Sequence, residues 1–107
     1  MPTPTNAELL RKAADIMKKR GHAKHELQDD KGRVCLLGAL AAAVSGDPHD
    51  FASKRPERLL GYVAEYLTRK LRKRINGYGA VDWNNEPTTK INDVIAALRG
   101  TARAATR

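Results

Sequence analysis

The chain has 107 residues, a net charge of +8 from 20 lysines and arginines against 12 acids, and one cysteine, Cys35. That length makes a single domain, 1–107, which buries about 65% of its unfolded surface; the lone thiol excludes an intramolecular disulfide and suits a reducing compartment. Aromatic residues are so few (5%) that aliphatic side chains must build the core, which suits packed helices better than a sheet.

Thr5 opens the first predicted helix, over 6–20. With Glu8 three residues on it forms a capping box, each side chain taking one of the amides a helix start leaves free. Leu9, Leu10, Ala13, Ile16 and Met17 follow at helical spacing. Gly21, after the basic turn Lys18-Lys19-Arg20, is the expected stop. His22 to Gly32 is polar and aperiodic, and Asp29-Asp30-Lys31-Gly32 has turn chemistry, so a connecting loop is predicted, with room for a short hairpin across 25–34. The run from Val34 to Val44 predicts a second helix, over 34–45. It is apolar nearly all round, which places it at the centre of the fold, and Ser45-Gly46 ends it.

Asp47-Pro48 predicts a short turn carrying Phe51, and Pro56 the start of a long helix over 56–76. Leu60, Val63, Leu67, Leu71 and Ile75 recur every three or four residues along it, and about 30 Å of helix follows. Asn76-Gly77 is its expected end. Gly77 to Pro87 reads as a loop folding Trp83 back as a lid on the core, with Asn84 and Asn85 as backbone caps and turn-makers. Thr88 or Thr89 is the expected cap of a last helix over 89–99, and Gly100 its stop. Residues 1–4 and 101–107 are expected to fray. The fold class is therefore mainly α, a compact bundle of about four helices around the second. Its predicted core is Leu10, Ala13, Met17, Leu36, Leu37, Leu40, Val44, Leu60, Val63, Leu67, Leu71, Trp83, Ile91, Val94, Ile95 and Leu98.

Charge is distributed unevenly. Between Lys54 and Arg74 stand Lys54, Arg55, Arg58, Arg69, Lys70, Arg72, Lys73 and Arg74 against Glu57 and Glu65, eight cations less two acids, or +6 of the total +8. The expectation is one cationic helix face, with Arg69, Arg72 and Lys73 on one side, available to an acidic protein partner or to a phosphate backbone. No zinc spacing accompanies His22, His25, Cys35 and His49, and the histidines read as loop residues facing water. Cys35, at the start of the most apolar helix, reads as a small hydrophobe. No catalytic residue, metal or cofactor is expected. The apolar runs are too short to cross a bilayer and the first residues lack the pattern of a signal peptide, so a soluble, cytoplasmic protein with no membrane contact is expected; pattern leaves monomer against homodimer open.

Taken together, the helix Leu9-Leu10-Arg11-Lys12-Ala13-Ala14-Asp15-Ile16 leading into Arg20-Gly21, the turn Asp29-Asp30-Lys31-Gly32-Arg33, the segment Cys35-Leu36-Leu37-Gly38-Ala39-Leu40 and the pair Trp83-Asn84 before a helix ending at Leu98 resemble a family of small uncharacterised proteins of actinobacteria and their phages. The likeness spans most of the chain but not the basic helix. Asn85 stands where that family usually has aspartate, and aromatic and glutamine residues are few after Gly21. The resemblance implies an actinobacterial or phage source and a compact helical domain, and carries no chemistry. The functional expectation is a non-enzymatic accessory protein that binds a host or phage protein, the alternative being a nucleic-acid-binding protein that uses the basic helix 54–74.

Overall fold

The computed structural model describes residues 3–105, which form five helices and no strand: α1 (Asn6–Arg20), α2 (Leu36–Ser45), α3 (Arg55–Leu71), α4 (Gly77–Asn85) and α5 (Ile91–Ala105). The start of α1 is the expected capping box. Thr5 Oγ1 accepts from the Glu8 amide at 3.1 Å, and Glu8 Oε1 takes the Thr5 amide at 3.4 Å. Gly21 ends it, its amide donating to Met17 O. Gly46 ends α2 in the left-handed conformation, at φ 91°.

The close packing of α2 follows from its small residues, although α5 packs mainly on α1 and α3 rather than on it. Gly38, Ala39, Ala41, Ala42 and Ala43 are all buried, and α1, α3 and α4 pack around it. One hydrophobic cluster joins all five helices, with Leu10, Met17, Leu36, Leu40, Leu59, Val63, Val94 and Leu98 fully enclosed. Gly38 allows the tightest approach. A Cβ there would lie 2.1 Å from the carbonyl oxygen of Leu27, in the loop that crosses the start of α2.

That loop is not a hairpin. Val34 makes two isolated bridges, parallel to His22 and antiparallel to Gln28. Its turn is set instead by Asp29, whose Oδ1 accepts the Lys31 and Arg33 amides at 3.0 and 2.9 Å while Oδ2 pairs with Arg33 Nε.

Other expectations are corrected as well. Residues 77–85 form α4 rather than a loop: Asn76, taken for the end of the previous helix, is the N-cap of the next, its Oδ1 accepting the Gly79 amide at 2.7 Å. The long helix ends at Leu71 and not at 76, because Arg72 adopts the left-handed conformation (φ 57°). Leu71 itself is 42% exposed and outside the core, whereas Leu67, one turn earlier, is 2% exposed. The last helix is capped by neither threonine: Lys90 precedes it, its amide donating to Asp93 Oδ2 at 2.8 Å. Nor does Gly100 stop α5, since Thr101 and Ala102 continue it as buried residues, so that 101–105 are helical rather than frayed. Thr3 and Pro4 are non-helical and exposed. The rest of the expected fraying, at 1, 2, 106 and 107, falls outside the described residues. Leu37, Val44, Trp83 and Ile91, placed in the core by pattern, are half-buried against it.

Candidate functional site

Two polar constructions stand apart in the molecule. The first closes the loop after α1 against α4 and α2. Asn84, fully buried on α4, uses both ends of its amide. Its Oδ1 accepts His22 Nε2–H at 2.8 Å and the Leu36 amide at 3.1 Å, and its Nδ2 donates to Ala23 O at 3.2 Å and Asn85 Oδ1 at 3.0 Å. Asn85 Oδ1 also accepts the His25 amide, and Lys24 Nζ reaches the Glu86 carbonyl. Apart from the bond between the neighbours Asn84 and Asn85, these bonds join positions about sixty residues apart or cap the start of α2, so Asn84 is a backbone cap and both residues make tertiary contacts rather than the local turns expected of them. A buried amide is stable only when its donors and acceptors are paired, and this one is.

His22 is accordingly not a water-facing loop histidine. It is half-buried, and burial holds its imidazole below the ordinary value; the Asn84 bond opposes that shift and the Lys24 charge adds to it. The neutral ring donating through Nε2 is the form this site selects. Cys35 is the N-cap of α2, its Sγ accepting the Gly38 amide at 3.3 Å. Burial pushes the thiol up, against the pull of neighbouring backbone amides. His25 lines the same small hollow of about 170 Å³, yet no hydrogen bond joins its ring to the thiol among the described residues. Burial therefore favours the protonated thiol, the less nucleophilic form. His49 is exposed, near Asp47. Among the described residues no three His, Cys, Asp or Glu side chains lie close enough to hold a metal ion.

The second construction is the corner between α3 and α4. Thr68 fixes it: the Ile75 amide donates to Thr68 Oγ1 at 2.9 Å, and the hydroxyl proton has Ala64 O at 2.9 Å and Ile75 O at 3.0 Å as acceptors. Residues 72–74 are thereby thrown outward. Lys70, Arg72, Lys73 and Arg74 are exposed, and none of them has an ion-pair partner among the described residues.

The eight cations expected on one helix face do not stay together. Lys54, Arg55 and Arg58 lie at the opposite end of α3, about 25 Å away at 1.5 Å per residue. Arg55 is a structural residue, its Nη2 donating to Pro4 O at 2.5 Å and Asn6 Oδ1 at 3.2 Å. Arg69 faces a hollow of about 400 Å³ beside Tyr62, Glu65 and the end of α5. Lys70 and Lys73 instead border a groove of about 560 Å³ between α3, α4 and the start of α5, and Lys73 and Arg74 an adjoining hollow of about 330 Å³ that shares Trp83 and Glu86 with it. Sequence periodicity could not find this groove, because α4 was read as a loop; the Asn76 cap signal, taken as an initiator rather than a terminator, would have disclosed the helix that forms its far wall.

These features define a small five-helix domain, locked at one end by an interior asparagine and unpaired in charge at the other, with no helix long and apolar enough to cross a membrane among the described residues. The chain belongs to the family described as DUF6197, a family of unknown function, which matches residues 1–104. No curated protein and no solved structure matches it.

Proposed function

We propose that this domain is a non-enzymatic accessory protein, encoded by an actinobacterium or its phage, that binds an acidic host or phage protein through the corner formed by Lys70, Arg72, Lys73 and Arg74. The observation that carries the reading is the unpaired state of these four cations around the exposed Leu71. Like charges crowded on five residues repel one another, and an anionic partner both relieves that repulsion and is steered toward it. Arg72 strengthens the argument, because a left-handed cap favours glycine and an arginine there costs about 1 kcal/mol. Asp82 and Glu86 border the same surface, and mixed charge of this kind suits a protein partner better than a polyphosphate.

The test is affinity capture at about 0.15 M salt with the natural chain and with a Lys70→Glu, Lys73→Glu, Arg74→Glu variant. One acidic protein, recovered in stoichiometric amount and lost with the variant, is expected. Retention of the same proteins by both forms overturns the proposal.

Nucleic-acid contact is the second reading, favoured by the unpaired cations of the corner together with Arg69. Mobility-shift assays on duplex and single-stranded probes decide it. Contact with about five phosphates gives a log–log salt slope of about −4 to −5, and unshifted probes at low salt remove it.

A further inference from the structure

The groove beside the corner has a composition that simple charge attraction does not require. Its floor is apolar: Leu67 and Ala97 are buried, and the rings of Tyr66 and Trp83 stand half-buried in its walls. Leu71 forms an exposed lip above them. Its two rims differ in sign. Lys70 and Lys73 border the α3 side without ion-pair partners among the described residues, while Glu86 and Asp93 border the other side. Asp93 accepts the Lys90 amide through Oδ2, which orients its carboxylate on that rim.

A volume of about 560 Å³ lies within the range of about 300–1,000 Å³ usual for sites that enclose a ligand group. A flat, folded acidic surface cannot reach such a floor. A polyphosphate would meet Glu86 and Asp93 and would leave the apolar floor unmatched. An extended chain with one large apolar side chain and carboxylates on one side of it satisfies all three elements: the anchor fills the floor, the acids run along the lysine rim, and the backbone amides of the chain face Glu86 and Asp93. Binding energy then concentrates in the anchor, as in other interfaces where one side chain enters a pocket.

We infer that the groove between α3, α4 and α5 is a docking site for an acidic linear peptide segment bearing a single aliphatic or aromatic anchor residue. The inference rests on the protein-binding reading above and specifies its partner. Trp83 is the chain's only tryptophan and stands in the groove wall, so its emission reports occupancy directly.

The experiment is selection of a displayed random peptide library on the natural chain, followed by titration of the selected tryptophan-free peptides against Trp83 fluorescence. Enrichment of acidic sequences with one Leu, Ile, Met or Phe is expected. Replacing that anchor by alanine should weaken binding about tenfold or more. Ala96→Phe, which plugs the groove from an exposed position on α5, and Leu71→Ser, which removes the lip, should each do the same with an unchanged thermal midpoint and all cations retained. The inference is overturned by failure to enrich any such class, or by peptides that bind both groove variants as tightly as the natural chain. If charge reversal at the corner abolishes partner capture while the groove variants retain it, the protein-binding reading stands and the groove has no part in it. If neither set matters, both fall.

Discussion

The Asn84 end and the α3–α4 corner treat polar groups in opposite ways. Around Asn84 each buried donor and acceptor meets a protein partner, and among the described residues no buried side-chain nitrogen or oxygen lacks one. At the corner the side chains are equally polar, and among the described residues no carboxylate pairs with them. An enclosed unsatisfied group costs about 1–3 kcal/mol, whereas an exposed cation costs little while water solvates it. Stability is therefore concentrated at the first end, and the second is free to serve contact. Substitutions that respect this division should separate folding from binding cleanly.

The largest expected effect is at Gly38. A Cβ at 2.1 Å from the Leu27 carbonyl oxygen meets backbone, which has no rotamer to yield. Gly38→Ala should cost about 3 kcal/mol or prevent folding, as read by chemical denaturation. Gly61, inside α3 with nothing within 4 Å, is its control: Gly61→Ala should stabilise by about 0.5–1 kcal/mol through helix propensity. A comparable loss at both would show that the Asn84 end is not special.

Next comes Asn84→Ala, which strands the Leu36 amide and the Ala23 carbonyl. A loss of about 2–3 kcal/mol is expected, with α1 and α5 retaining their helical circular dichroism. A loss below about 0.5 kcal/mol would mean water replaces the amide without penalty.

A smaller effect is tied to pH. His22 is held below its ordinary value in the fold and titrates near 6.5 when unfolded. In the interval between those values the unfolded chain binds more protons, so stability contributed by neutral His22 is complete above about pH 6.5 and declines as acid is added through that interval. His22→Gln, whose amide still donates to Asn84, should lose this part of the acid sensitivity of the thermal midpoint; identical slopes for the two proteins would assign the titration elsewhere.

The smallest expected change in stability is at the corner. Replacing Lys70, Arg72, Lys73 and Arg74 together by glutamine should shift it by no more than about 0.5 kcal/mol, while partner capture weakens. A drop of several kcal/mol would reveal a structural role and undo the contrast.

Much of this architecture is legible in the chain because local signals agree with packing. The Thr5–Glu8 box, Gly21, Gly46 and the alanine-rich α2 each specify a conformation that the tertiary fold adopts. What failed to show failed for identifiable reasons. Asn76-Gly77 carries the chemistry of both a helix end and a helix start, and only three-dimensional context decides between them. Leu71 continues the apolar period of α3 faultlessly, yet periodicity cannot announce that Arg72 will leave the helix. Asn84 and His22 are 62 positions apart, and no local pattern links them. The basic residues were conspicuous in composition, but their division among Arg55 at the amino-terminal segment, Arg69 beside α5 and Lys70–Arg74 at the corner follows from helical phase and from the α3 break.

Gly100 and Tyr66 have a bearing on how finely that groove can be adjusted. A Cβ at Gly100 would sit 2.4 Å from the tip of the Tyr66 ring, and Tyr66 is itself a wall of the groove. The bare helix surface at position 100 thus sets the gap between α3 and α5. Any side chain there would act as a wedge against Tyr66, resizing the cleft from behind.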